Sequence, residues 1–188
     1  MVYIKNKTGE IYAQESKAIY DGIRKAVNEA TVYDIYIMVE SADVWCNQMR
    51  YQYFYMEGCV DAVASRNMYD QSEMSRSYMY PQMIDQNWKY NRETALPAFG
   101  DGSVEFVLCV VQDGRGSIGN TPIVKKDAAT YRTMCNVAKM NAGRNRLILI
   151  DSYNKYNFDS FIEPTVEGYG NGYGRTYLDI TRQQFKKN

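Results

Sequence analysis

Histidine is missing from all 188 residues, and that absence excludes more chemistry than any other feature of the chain. Ser-His-Asp and Cys-His catalysis, HExxH zinc sites and an imidazole general base all fall away with it. Cysteine is scarce. Cys46, Cys59, Cys109 and Cys135 contain no CxxC pair, so a Cys/His zinc site cannot be assembled. An excess of one charge is lacking too: 22 Lys+Arg stand against 22 Asp+Glu. That balance argues against nucleic acid as a sole partner, and equally against an acidic mimic of nucleic acid. Long apolar runs are absent, since the longest, Phe106 to Val111, is too short to cross a bilayer. No membrane partner is expected. Met1 to Asn6 has no basic region leading into an apolar run, so a cytoplasmic chain with reduced, buried cysteines is expected. In that setting the sequon Asn6-Lys7-Thr8 carries no meaning.

What is present in excess is tyrosine, 18 residues, and methionine, 10. At about 150 residues per domain the length fits one domain, 1–188, able to bury its own core. Val2 to Lys5 and Ile11 to Ala13 flank a Gly9-containing loop and predict a hairpin. Ser16 can cap a helix whose Ile19, Ile23, Ala26, Val27 and Ala30 form one apolar stripe. Thr31 to Glu40 is rich in β-branched and aromatic residues and predicts a strand. Residues 45–56 fit strand or helix. The spacing favours a strand through Met56 and then a helix from Glu57 to Met68.

Residues 66–101 read as an irregular, aromatic- and Met-rich insert within the domain. A disordered linker would be poor in aromatics, so an ordered excursion or short-helix insert is expected. Val104 to Val111 predicts a buried strand, Thr121 to Val124 a short one, and Leu147 to Ile150 another that ends in Asp151. Asp127 caps a helix carrying Tyr131, Met134, Cys135 and Ala138 on one face, stopped at Gly143. Thr165 to Tyr169 and Arg175 to Ile180 flank Asn171-Gly172, a strong hairpin signal, before a fraying tail from Gln183. These elements predict an α+β domain: a mixed, largely antiparallel sheet, about three helices and a long irregular middle segment.

Three motifs suggest chemistry. Gly114-Arg115-Gly116-Ser117-Ile118-Gly119 is a literal GxGxxG, but Pro122 and a strand intervene before the next helix, and Asp151 comes later than the roughly 20 residues expected of a ribose-binding acid. No cofactor is expected. Asp113 and Asp151 each follow a buried strand and, with Lys125 or Lys126, suit a small metal-dependent hydrolase or nuclease; the plainer reading is strand-terminating and helix-capping acids. Arg144 and Arg146 follow a helix C-terminus, where they complement its dipole.

The tyrosines outside the strands remain. Tyr78, Tyr80, Met83, Trp88 and Tyr90 cluster in the insert, and Tyr169 and Tyr173 sit beside glycines. Aromatics and methionine are enriched at protein interfaces, where they supply apolar area at little entropic cost. The sequence thus favours a non-catalytic protein that binds another protein through these residues. A phage or mobile-element accessory protein inhibiting a host defence machine fits that description. Alternatives are a self-assembling virion or tail subunit, and the metal-dependent enzyme on Asp113 and Asp151.

Overall fold

The structure is a computed structural model that describes residues 9–41, 59–65, 80–95, 102–111, 127–155, 160–167 and 172–186. In chain order the elements are helix α1 (Gly9–Thr31), strands β1 (Met38–Ser41) and β2 (Ala62–Ser65), and helix α2 (Tyr80–Tyr90), which continues into a π-helical turn at Asn91–Ala95. Then come β3 (Glu105–Val111), α3 (Ala128–Asn141), β4 (Ile148–Asp151), the short strands β5 (Asn154–Lys155) and β6 (Ser160–Phe161), and α4 (Thr176–Phe185). The main sheet has four strands in the order β1-β2-β3-β4, and every pairing is parallel. Only β5 and β6 pair antiparallel.

This corrects the expectation of a largely antiparallel α+β sheet: the fold is of α/β type. A parallel neighbour needs a crossover, and helices lie in the connections β2–β3 and β3–β4. Strands in such sheets are buried on both faces and read as continuous apolar runs rather than alternating ones. β3 shows this, with Phe106, Val107, Leu108, Cys109 and Val110 all buried. The described strands follow one another across the sheet in chain order. Among them there is no reversal of order of the kind at which doubly wound sheets bind dinucleotides.

The chain forms two compact units, Met1–Ser65 with Lys89–Val107, and Arg66–Trp88 with Leu108–Asn188. In the first, β1 pairs with β2 from Met38↔Ala62 to Ser41↔Ser65, and β2 with the first half of β3. Ile11 to Ala13, expected in a hairpin, lie inside α1, because the Gln14–Ala18 region that follows is made of helix-compatible residues. The helix buries a face rotated from the expected stripe. Ile19 and Ile23 are exposed, while Tyr20, Arg24 and Val27 are half-buried. Arg24 explains the rotation: its guanidinium donates to Asp61 Oδ2 at 3.0 Å and to the Cys59 carbonyl at 3.3 Å. The same Asp61 Oδ2 accepts the Ile37 N–H at 2.6 Å, and Tyr36 donates its hydroxyl proton to Glu105 Oε2 at 2.9 Å. The acids at the N-terminal ends of β2 and β3 are therefore occupied in holding the unit together.

In the second unit β4 pairs with the second half of β3, from Leu108↔Ile148 to Val111↔Asp151. Helix α3 matches its expected cap and face: Asp127 Oδ2 accepts the Thr130 N–H at 2.9 Å, and Tyr131, Met134, Cys135, Ala138 and Asn141 are buried. Asn141 donates to Asp85 Oδ1 of α2 at 2.7 Å. Helix α4 packs on α3 through Tyr131 and Tyr177, ring centroids 5.3 Å apart and edge to face, and through Tyr131–Thr181 hydroxyls 2.7 Å apart.

Arg175 to Ile180 is thus helix, not the second arm of a hairpin across Asn171-Gly172. Tyr177 and Ile180, one helical turn apart, are both buried, and that packing overrides the local turn signal. Gly174, at φ +60°, turns the chain into α4, and its carbonyl accepts the Thr165 N–H at 3.0 Å. Of the helix expected over Glu57 to Met68, the described part is instead a strand, β2 at Ala62–Ser65, and the Glu105 N–H at the start of β3 donates to the Asp61 carbonyl just before it at 2.9 Å. The described part of 66–101 is largely helical, with Pro81 in the first turn of α2, where proline costs no hydrogen bond. Val2 to Lys5, residues 45–56 and Thr121 to Val124 lie outside the described residues. Among those described, no helix is long and apolar enough to cross a membrane.

Candidate functional site

In parallel β/α folds the chemistry gathers at the C-terminal ends of the strands, because loops there are free to vary while the strands hold their ends in place. β4 ends on Asp151, a carboxylate that is only 5% exposed. Asp151 interacts with its neighbours there, and what makes it a candidate is its place at the C-terminal end of a parallel strand.

The segment after β4 folds back on its own start. The Ile162 N–H donates to the Ser152 and Tyr153 carbonyls, each at 3.1 Å, and the Glu163 N–H to the Tyr153 carbonyl at 2.9 Å. The β5–β6 pairing of Asn154 with Phe161 makes this return possible. It brings Glu163, twelve positions along the chain from Asp151, beside Tyr153 at the same end of β4. Glu163 Oε2 is shielded from solvent and has no hydrogen-bond partner. Tyr173 holds the return in place: its hydroxyl proton is shared between the Phe161 carbonyl at 2.8 Å and the Glu163 carbonyl at 2.9 Å. Its ring stacks edge to face on Tyr177, centroids 4.6 Å apart. Tyr153 is 53% exposed, an aromatic ring on the segment between the two acids.

Chemically, the end of β4 and the stretch that follows it offer two acids, Asp151 and Glu163, and an exposed phenol ring. Paired carboxyls serve as general acid and base, or as acid and nucleophile, at a glycosidic bond. An exposed aromatic ring offers an apolar face with a polar edge. No group of three or more His, Cys, Asp or Glu able to hold a metal occurs among the described residues. Thiol chemistry is disfavoured among the described residues as well: Cys59, Cys109 and Cys135 are buried thiols, and burial pushes the Cys135 thiol up to about 11.

The residues singled out by sequence fall in different places. Of the acid pair, Asp151 is in the site, and Asp113, with Lys125, Lys126 and the GxGxxG at 114–119, lies outside the described residues. Tyr78 and Tyr169 also lie outside them. Tyr80 and Met83 belong to the first turns of α2. Trp88 is fully buried, with its indole N–H unpartnered, whereas Tyr90 is 41% exposed at the end of the same helix. Tyr173 is half-buried and braces the return described above. Glu163 gave no signal in the sequence, because only the β5–β6 return places it; Tyr153 stood out only as an aromatic in a loop.

No family model matches the chain, and neither does any curated protein. Among solved structures it is similar to one described as a glycoside hydrolase-like protein, with a TM-score of 0.77 and 24% identity over 92% of this chain. This chain spans 50% of that one. The likeness is one of fold.

Proposed function

We propose that the protein acts on a glycan at the C-terminal end of β4, with Asp151 and Glu163 as the carboxyl pair and Tyr153 as the sugar platform. The observation that carries this reading is the buried Asp151 at the C-terminal end of β4 in an all-parallel main sheet. The similarity to a glycoside hydrolase-like protein supports it. In hydrolysis one carboxyl group protonates the departing glycosidic oxygen while the other takes a proton from the attacking water, or first bonds the anomeric carbon. The products are two shorter sugars with no net change in protonation. Asp151→Asn should lower release of reducing ends from a susceptible polysaccharide by about 100-fold or more, with the melting temperature little changed. Equal turnover by wild type and the Asn variant, or no cleavage of any polysaccharide in a broad panel, would remove the reading.

A second reading keeps the protein non-catalytic and has it bind another protein, such as a host machine. What favours it is exposed apolar area: Ile19 and Ile23 on α1, and Tyr90 after α2. Under this reading Ile19→Glu with Ile23→Glu should weaken capture of the partner by about 2 kcal/mol while the fold persists. An unchanged affinity in the doubly substituted, folded protein would speak against that surface.

A further inference from the structure

The cations of this neutral chain are not treated alike. On α1, Lys17 pairs with Asp21 at 2.6 Å and Arg24 with Asp61 at 3.0 Å. After α2, Arg92 pairs with Glu93 at 2.7 Å, and at the start of α4, Arg175 faces Asp179 at 3.7 Å. Along the outer side of the α3–α4 pair the pattern changes. Arg132 donates to the Gln183 side-chain carbonyl at 3.1 Å, and Lys139 to that of Gln184. Arg132 and Lys139 are two turns apart on one side of α3. Arg182 and Lys186, one turn apart at the end of α4, are exposed on either side of Gln183. Among the described residues none of these four cations makes an ion pair.

Neutral amides fix the side chains without cancelling their charge. Holding a long cationic side chain in place removes entropy that binding would otherwise have to overcome. The arrangement therefore suits a polyanion, and its remaining chemistry narrows the class. The tyrosines of both helices, Tyr131 and Tyr177, are buried in the seam and Phe185 at the end of α4 is half-buried, so little aromatic surface is presented there for a nucleobase to stack on. Amide groups on Gln183 and Gln184 can instead meet sugar hydroxyls.

We infer that the α3–α4 face binds an acidic polysaccharide, one whose carboxylate, sulfate or phosphate groups recur along a chain of hydroxyl-rich sugars. The choice of a glycan among polyanions rests on the reading of the β4 end; the uncancelled cationic face does not.

The test is binding of polygalacturonate, neutral dextran and a mixed-sequence DNA duplex, measured by calorimetry at two salt concentrations. Polygalacturonate should bind, and its affinity should fall by about tenfold or more between about 50 and about 200 mM salt. Dextran should not compete. Arg132→Glu with Lys139→Glu should weaken binding by more than about tenfold, as should Arg182→Glu with Lys186→Glu, which touches neither amide contact. Absence of polygalacturonate binding, or binding that neither pair of substitutions alters, overturns the inference, and tighter binding of the duplex overturns the polysaccharide class. Charge-dependent binding without hydrolysis would remove the reading of Asp151 and leave this face standing. Hydrolysis that needs Asp151 but ignores all four cations would do the opposite.

Discussion

Val32 adopts φ 59°, directly after α1, and its N–H donates to the Asn28 carbonyl at 2.8 Å. This is the left-handed position that closes many helices, usually occupied by glycine or asparagine. A β-branched residue there pushes its Cβ against the backbone, at a cost of roughly 1–2 kcal/mol. Its side chain is 84% exposed, so replacing it sacrifices little packing. Val32→Gly should therefore raise the free energy of unfolding by up to about 1 kcal/mol, read from a shifted denaturant midpoint at constant slope, with unfolded-state entropy limiting the gain. At this scale the sequence was legible where a residue acts on its immediate neighbours. Asp127 announces its cap, and Asp151 can be recognised as an acid ending a strand, although β4 is half-buried rather than buried as its apolar run suggests. Glu163 cannot, since its place beside Tyr153 exists only after the chain has folded back.

Among the elements, α3, β3 and β4 were readable because their signals are local: a cap with an apolar face, and two short runs of β-branched and aliphatic residues. Strand direction was not. A run such as Phe106 to Val110 is apolar whichever way its neighbour points, and the pairing partner is chosen by the crossover. Asn171-Gly172 shows the converse, a strong local turn signal that loses to burial of Tyr177 and Ile180 on one side of α4. In α1 the apolar stripe of Ile19 and Ile23 was legible but its orientation was not. A long-range pair, Arg24 with Asp61, turns a different side inward. Tertiary electrostatics set that rotation, and periodicity alone cannot report it.

For the whole molecule, the lack of histidine leaves little to titrate near neutrality, and the consequence appears at alkaline pH. Burial raises the Cys135 thiol from 9.0 to about 11, and raises the Tyr131 phenol above its ordinary 10.0. The unfolded chain releases these protons first. Between those values it binds fewer protons than the folded protein, so stability is complete below about pH 9 and declines as pH rises toward about 11. Unfolding free energies measured by urea titration should be level from about pH 7 to about pH 8.5 and fall thereafter, and Cys135→Ala should flatten part of that decline. A level profile through pH 11 would contradict the burial of both groups.

Asp61 also bears on how the chain reaches this state. One carboxylate oxygen receives both the Arg24 guanidinium and the Ile37 N–H, so seating the helix and starting the first strand are a single event rather than two. The Arg24–Asp61 contact spans 37 residues, and closing such a loop costs on the order of 3 kcal/mol of chain entropy before any neighbouring contact offsets it. A joint meeting of α1, β1 and β2 is therefore the step expected to limit folding of their unit, and Asp61→Asn should slow refolding followed by stopped-flow. Speed of folding there would be governed less by helix propensity than by how often one acid finds two donors at once.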